Sequence, residues 1–551
     1  MRLEFAVRLL LSTFVASAVA LSGAKQLLRP DTVAAAAQPA ARSTINVGMW
    51  SLWRDRIVVA TPLTDAKLRL CGKCVARSIE NPATIRAEGN DLVLTVGRAT
   101  RRSTRLWLKG TLTLSGHGEA VPMHDPVAIS ARGGALVLAV TLPVESYVER
   151  VVASESNPTD SLETLKALAI VVRSYALHEA HGHADFDVCD STHCQHLHWQ
   201  RMPGTEAQAQ AATLATAGET LWYRGQRALS YFSKDCGGRT ASPAEVWPKA
   251  QPVSYLPSQT DPFCASGASR QWATEISRAE LTSALSTRGL VAPGWQQLIV
   301  ARRGESGRAV TLRLDSTEIS AEEFRLAVGE ALGWNKIPST WFEVSQQDDE
   351  FEFHGRGWGH GVGLCQRGAA TMGAQGRTSA EILAQYFPGA YAADESTGQT
   401  WKTFSAGGFT LESLDSADAA YLPELARARA DASQRSGLNA SRPFTVRAFS
   451  STPTFRDATL EPGWVAAFAQ GDWIATQPLR TLAARHLLVP TLRHEFLHAL
   501  IECQAGPGAP LWLREGLAES WGNDLQPGAS DREPQSTRPA LSVDALDAAL
   551  A

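Results

Sequence analysis

The alternation of apolar and polar positions divides the chain into a strand-rich stretch, a strong helix, a mixed middle and a second helical region. From Ile45 to Leu142, short β-branched and aliphatic runs are broken by Gly, Asn and Pro. Asp91 to Val96, Leu106 to Leu114 and Ala135 to Val140 read as strands. The period then changes. Leu162, Leu165, Ala169, Val172 and Ala176 keep one face of a helix. Asp160 or Ser161 can cap it, Asp160 and Glu163 have the spacing of a capping box, and Gly182 follows as a stop. Glu155 thus falls in a small-residue segment (Ala153, Ser154, Ser156) just ahead of a helix N-terminus. Further on, Arg278 to Arg288 reads as a helix, Gln297 to Leu314 as a hairpin, and Ser379 to Phe387 as a helix closed by Pro388 and Gly389. The expected class is α+β: a mixed, β-rich domain with a helix-bearing cleft, then a small α+β domain.

Length and composition add boundaries. A chain of 551 residues has room for about three to four domains, each with its own core. With 44% hydrophobic and 20% charged residues it is ordinary globular protein. A net charge of -4 and the lack of a basic run argue against a nucleic-acid partner. Arg2 and Arg8, the apolar run Leu9 to Ala20 and the cleavage-like Ala18-Val19-Ala20 predict a signal peptide over residues 1–24. The run is shorter than the about 20 residues of a membrane span, and an uncleaved anchor would be the one route to membrane contact. Export places the chain in an oxidising compartment. An Ala/Pro-rich linker follows over 25–44, then a first domain over 45–400, a connector over 401–434, a second domain over 435–530 and a tail over 531–551.

Candidate chemistry is concentrated after the helix. Six of the 13 His fall between His178 and His198. His183, Cys189, His193 and Cys194 lie close enough for one loop to supply the four N and S ligands of a structural zinc site, with His196 and His198 as spares. A polar loop with a Cys189–Cys194 disulfide is the alternative. Glu155, taken alone, reads first as a solvated loop carboxylate. Cys71-Gly72-Lys73-Cys74 is a lone CxxC, suited to a local disulfide, half a metal site or neither. Gly237-Gly238 after Tyr231 to Cys236 permits a tight turn or a close approach to a sugar, and Cys236 can pair with Cys264. The glycine-alternating run His354 to Ala369 lacks the Gly-Lys-Ser/Thr of a phosphate loop. Either its bare backbone lets Trp358, His360 and Gln366 face a saccharide, or it is a strand pair packed for structure.

These segments together resemble the sporulation protein D / amidase-enhancer (SpoIID/LytB) family of bacterial cell-wall proteins. The matching motifs are Leu142-Pro143-Val144-Glu145, Val151-Val152-Ala153-Ser154-Glu155, Val172-Arg173-Ser174-Tyr175-Ala176 and Asp190 through Cys194-Gln195. Cys236-Gly237-Gly238-Arg239-Thr240 and Gly357-Trp358-Gly359-His360-Gly361-Val362-Gly363 continue the match. The resemblance implies a SpoIID-like fold, a secreted, periplasmic or envelope location, and peptidoglycan glycan strands as substrate. It implies a lytic transglycosylase with Glu155 as acid/base, or a non-catalytic module that assists an amidase or other cell-wall enzyme. It also implies zinc on the two-Cys, two-His loop in some members. Arg173, Tyr175, Trp358, His360 and Gln366 are the expected substrate contacts. Cys365 stands where the family usually has Ser.

The second region carries its own motif. On a helix, His494 and His498 are i and i+4 and can meet one metal, with Glu495 beside them as general base. Trp512-Leu513-Arg514-Glu515-Gly516-Leu517-Ala518-Glu519 follows. The pair resembles gluzincin-type, peptidase MA-like metallopeptidases, which implies a zincin-like domain with zinc on His494, His498 and Glu515. Glu519, one turn on, is the alternative third ligand.

Overall fold

The computed structural model describes residues 43–51, 56–116, 119–178, 183–200, 202–266, 271–291, 294–505 and 509–522. The expected signal peptide, nearly all of the linker, the stop at Gly182 and the tail lie outside them. The α+β class holds, with several sheets and interleaved helices.

The strand-rich stretch builds an eleven-stranded sheet among the described residues. Its longest pair, Ile57–Arg69 against Arg105–Gly116, is antiparallel. Val58, Ala60, Leu112 and Leu114 put one face of the pair into the core. All three expected strands are present. Cys71 and Cys74 form a disulfide just past the end of Ile57–Arg69, which settles the CxxC as a local staple. At the other side of the sheet, Thr44–Gly48 pairs antiparallel with Ala135–Pro143 and parallel with Val188–Cys189, so Gly48 stands opposite Cys189.

Strand Ala135–Pro143 runs directly into helix α1 (Val144–Glu155). The sequence reading leaves this segment unassigned, and Val is a modest helix former. Tertiary packing overrides that preference. Val144, Tyr147, Val148, Val151 and Val152 recur at helical spacing and are all buried, each fully buried side chain contributing about 1.5–3 kcal/mol. Helix α2 (Leu162–Leu177) is the expected one, capped by Ser161, whose hydroxyl accepts from Thr164 N at 3.2 Å. The anticipated capping box does not form. Glu163 instead pairs with Lys166 at 2.8 Å and accepts from Ser379 N at 2.7 Å, and Asp160 accepts from Asn157 N.

Residues 271–356 form a lobe of two three-stranded sheets and helices Arg278–Ser286 and Ala321–Leu332 around Ile276, Phe324, Phe342 and Phe353. The lobe is inserted between Phe232–Ser233 and Leu364–Cys365, which pair in parallel.

The expected connector 401–434 is part of the C-terminal unit. Lys402–Ala406 and Phe409–Ser413 are strands of its five-stranded sheet, and Leu422–Ser436 is a helix. The Ala/Ser/Glu-rich composition hides two apolar stripes: Phe409 and Leu411, and Leu425, Ala428 and Ala432. Both pack with Phe444, Val446 and Phe496. Helices α3 (Leu488–Ala505) and α4 (Leu511–Gly522) complete the unit. It joins the rest through the buried Arg447, which bridges Glu219 and Glu412 at 2.7 Å each and lies over Trp401. Among the described residues no helix is long and apolar enough to cross a membrane.

Candidate active site

Glu155 is the last residue of α1. It therefore lies ahead of the α2 N-terminus, as expected, but also ends a preceding helix. The negative end of the α1 dipole disfavours a carboxylate there. Burial pushes the Glu155 carboxyl above its usual value; Lys234, Gln366, the His196 backbone and His198 pull the other way.

Two further segments meet Glu155. One is Phe232–Ser233 with Lys234 and Asp235 following. The other is the glycine-rich run, where Trp358 bridges to Asp235 and Leu364–Cys365 pairs with the strand. The glycines serve this packing. Gly363 has φ 72°, and a Cβ there would lie 2.2 Å from the Tyr231 carbonyl oxygen; at Gly357, φ 80°, it would lie 2.9 Å from that of Asp235. The bare backbone expected at a saccharide thus faces protein backbone at these positions.

Glu155, Tyr175, Tyr231, Lys234, Trp358 and Gln366 line one cavity, with the exposed Trp334 from the inserted lobe among its walls. An adjoining cavity along Asn157, Asp160 and Arg367 shares Lys234, Trp358 and Gln366. The depression thus runs on as a groove. Among the described residues Glu155 is the sole carboxylate lining the first cavity. Asp235, close by, is buried and held by Arg367 at 2.9 Å.

Gln366 Nε2 donates to the Glu155 carbonyl at 3.2 Å and to Oε2 at 3.4 Å, while its buried Oε1 has no protein partner. That oxygen is an acceptor left for a ligand hydroxyl. His360 lines the cavity, but its Nδ1 accepts from Val362 N at 3.0 Å and it packs beside Trp247. Burial, with Arg325 and Arg308 nearby, pushes it down to about 3, so the ring is neutral. Arg173 does not reach the cavity. It is 0% exposed, and its guanidinium forks onto Glu145 at 2.9 and 2.5 Å, tying α2 to α1. The expected substrate contact by Arg173 is replaced by this internal role.

His183, Cys189, His193 and Cys194 come together, their ligand atoms all within 4.8 Å of one another. Cys189 and Cys194 are separate thiols, against the disulfide alternative. Trp50 packs edge-on to both histidines. The loop is anchored beside Glu155: His198 N donates to Ser154 Oγ at 2.9 Å and Tyr147 Oη to Gln195 Oε1 at 2.8 Å. His196 and His198 stand apart from the cluster, 3.1 Å from each other, and burial lowers both.

In the C-terminal unit, His494 and His498 on α3 and Glu515 on α4 offer three ligand atoms within 4.8 Å of one another. The His498 and His494 Nε2 atoms are 3.0 Å apart, and Glu515 Oε2 is 3.4 Å from His498. Glu519 is not in this group. Burial, then Glu515, raises the Glu495 carboxyl to about 8.

Sequence reasoning missed Lys234, Tyr231 and Trp334. Lys234 was signalled only by a lone cation ahead of Cys236-Gly237-Gly238, and Trp334 lies in a segment without motifs.

Residues 132–223 match the family model described as Stage II sporulation protein (SpoIID). Residues 258–363, essentially the inserted lobe, match a domain of unknown function (DUF8618). The chain is similar to an uncharacterized protein of Brachyspira hyodysenteriae, 29% identical over 46% of this chain and 67% of that protein. It is similar to the Stage II sporulation protein D of Bacillus subtilis, 25% identical over 53% of this chain and 83% of the relative. The Amidase enhancer of the same organism is 22% identical over 43% of this chain and 39% of its own length. These findings support the SpoIID/LytB family for the larger region; the C-terminal unit lies outside both matched family models.

Proposed function

We propose that this protein acts on the bacterial cell wall, as a lytic transglycosylase that cleaves peptidoglycan glycan strands with Glu155 as acid and base. The observation that carries the reading is that Glu155, raised by burial, is the sole carboxylate among the described residues lining the cavity walled by Tyr175, Tyr231 and Trp358. Hydrolases that use water need two carboxyl groups across the bond. One suffices when the nucleophile belongs to the sugar. Glu155 donates its proton to the glycosidic oxygen between muramic acid and glucosamine. The resulting carboxylate takes the proton of the muramic C6 hydroxyl, whose oxygen closes on C1 to form the anhydro ring. Gln366 Nε2 steadies the carboxylate, Lys234 lowers the cost of its charge, and the aromatic rings stack on sugar faces.

His183, Cys189, His193 and Cys194 fit a structural zinc ion by donor type and convergence. Bound there, it would hold the loop beside Glu155. The envelope or an exported location follows from the same reading.

A second reading belongs to the C-terminal unit, favoured by the convergence of His494, His498 and Glu515. The three fit zinc, which when bound would polarise water and a peptide carbonyl. Glu495 would take the proton from the attacking water and return it to the leaving amine.

The test is mass spectrometry of products from glycan strands with and without stem peptides, using wild type, Glu155→Gln and Glu495→Gln. Anhydro-muramic ends that vanish only in Glu155→Gln support the first reading. Retained binding without cleavage would replace it with a non-catalytic amidase-enhancing module.

A further inference from the structure

Next in sequence to Lys234 and Gln366 of the groove lies a buried cluster that the proposed chemistry does not use. Cys236, Cys264, Cys365 and Asp261 are each 0% exposed, and their ligand atoms all fall within 4.8 Å of one another. They come from three segments: the strand end after Lys234, the short helix Pro262–Ser266 with Asp261 ahead of it, and the residue just before Gln366. We propose that these four side chains form a structural site for a thiophilic divalent metal ion, zinc by ligand set.

Four arguments converge. The donor set is three thiols and one carboxylate, a four-coordinate tetrahedral complement, in which sulfurs sit about 3.8 Å apart around the ion. The four ligand atoms are already gathered within 4.8 Å of one another.

The outer contacts are those of oriented ligands. Asp261 Oδ1 accepts from Phe263 N at 3.1 Å and Cys264 N at 3.0 Å, its Oδ2 accepts from Tyr386 Oη at 3.0 Å, and Cys365 Sγ accepts from Cys236 N at 3.2 Å.

The charges also suit an ion. Asp261 accepts from Cys236 Sγ at 3.2 Å besides Phe263 N, Cys264 N and Tyr386 Oη, and among the described residues no cationic side chain bridges it. Arg308 is the converse case. This buried guanidinium bonds the carbonyls of Cys236 and Gly359 at 2.9 and 3.1 Å, and its Nε has no partner. A metal with three thiolates and a carboxylate carries net negative charge, and Arg308 lies against it as counter-ion.

Finally, a disulfide accounts for the cluster less well. Cys71 and Cys74 are joined in this structure, whereas these three sulfurs are separate. One disulfide would take up two sulfurs only, whereas one ion takes up all three and Asp261; Cys236 and Cys264 already contact carboxylates, Asp261 Oδ2 at 3.2 Å and Asp235 Oδ1 at 3.1 Å. The site would also clamp Lys234–Cys236 to Cys365–Gln366, and so hold Lys234 and Gln366 at Glu155. Cys365, the departure from the family's usual Ser, completes the set.

The test uses the full chain expressed with Zn²⁺ in the medium. In a background lacking the other two clusters (Cys189→Ser, His193→Ala, His494→Ala, His498→Ala), elemental analysis should find about one zinc per chain, and X-ray absorption a first shell of three sulfurs and one oxygen. Adding Cys365→Ser should cut the zinc content at least severalfold or reduce the shell to two sulfurs. A folded background protein without zinc would overturn the proposal. For wild type, which needs no folding variant, peptide mapping without reduction decides independently. Free, alkylatable Cys236, Cys264 and Cys365 after denaturation with chelator are expected, and a disulfide between any two of them would overturn it.

Discussion

Gln366 grips Glu155 twice from 211 residues further along the chain, at its backbone carbonyl and at its carboxylate. The bond to the carboxylate favours the ionised form, while burial favours the protonated one. Gln366→Ala removes the first influence. Glu155 then keeps its proton to higher pH, and the alkaline limb of the rate profile on glycan strands should move up by about half to one pH unit. The maximal rate should fall by roughly tenfold, the worth of a hydrogen bond of about 1.4 kcal/mol. An unmoved limb would detach Glu155 from the titration.

Glu155→Gln should abolish anhydro-product formation and yet stabilise the fold at neutral pH. The folded carboxyl titrates above the ordinary value of 4.5. Between those two values the folded state holds the extra proton, so wild-type stability falls as pH rises through the window and is complete below it. Gln carries no such term. Denaturant midpoints should favour the variant at pH 7.5 and converge with wild type near pH 4; equal midpoints at both would refute it.

Arg173→Ala should act on stability, not on substrate affinity. It leaves Glu145 buried without its bidentate partner, a change that costs about 3–5 kcal/mol. Urea unfolding should show the loss. KM for glycan strands, measured where the variant remains folded, should stay within twofold of wild type, which separates this role from substrate contact.

Removing metal from the His183, Cys189, His193, Cys194 loop should loosen the wall of the groove. Cys189 also pairs, through its strand, with Gly48, so the loop has one anchor in the sheet and one at Ser154. Cys189→Ser should lose about one equivalent of zinc, and hydrogen exchange should rise over residues 188–199 while the other strands of the eleven-stranded sheet stay protected. Unchanged zinc content would exclude the site.

Much of the chemistry was legible beforehand because it is local. His494 and His498 share a helix face at any packing, four donors within one loop can close on one ion, and α2 shows its apolar stripe and its cap. What failed was whatever depends on neighbours. Val144–Glu155 carries no helix signal of its own and becomes a helix because Val144, Tyr147, Val148, Val151 and Val152 find a core at helical spacing. Arg173 stands in a motif beside Tyr175 and looks available to substrate, but α2 is buried on most sides and turns it inward.

The sequence by itself determined that a glutamate, a cysteine–histidine loop, a glycine-rich run and an HExxH helix exist, since residue type and short spacing carry those features. Only the tertiary structure decided that Glu155 ends a helix, that Gln366 and Lys234 reach it, and that the glycines approach Tyr231 and Asp235. The same holds for the convergence of Cys236, Cys264, Cys365 and Asp261. These contacts join residues up to hundreds of positions apart, and burial of apolar surface, which is non-directional along the chain, is what brings them together.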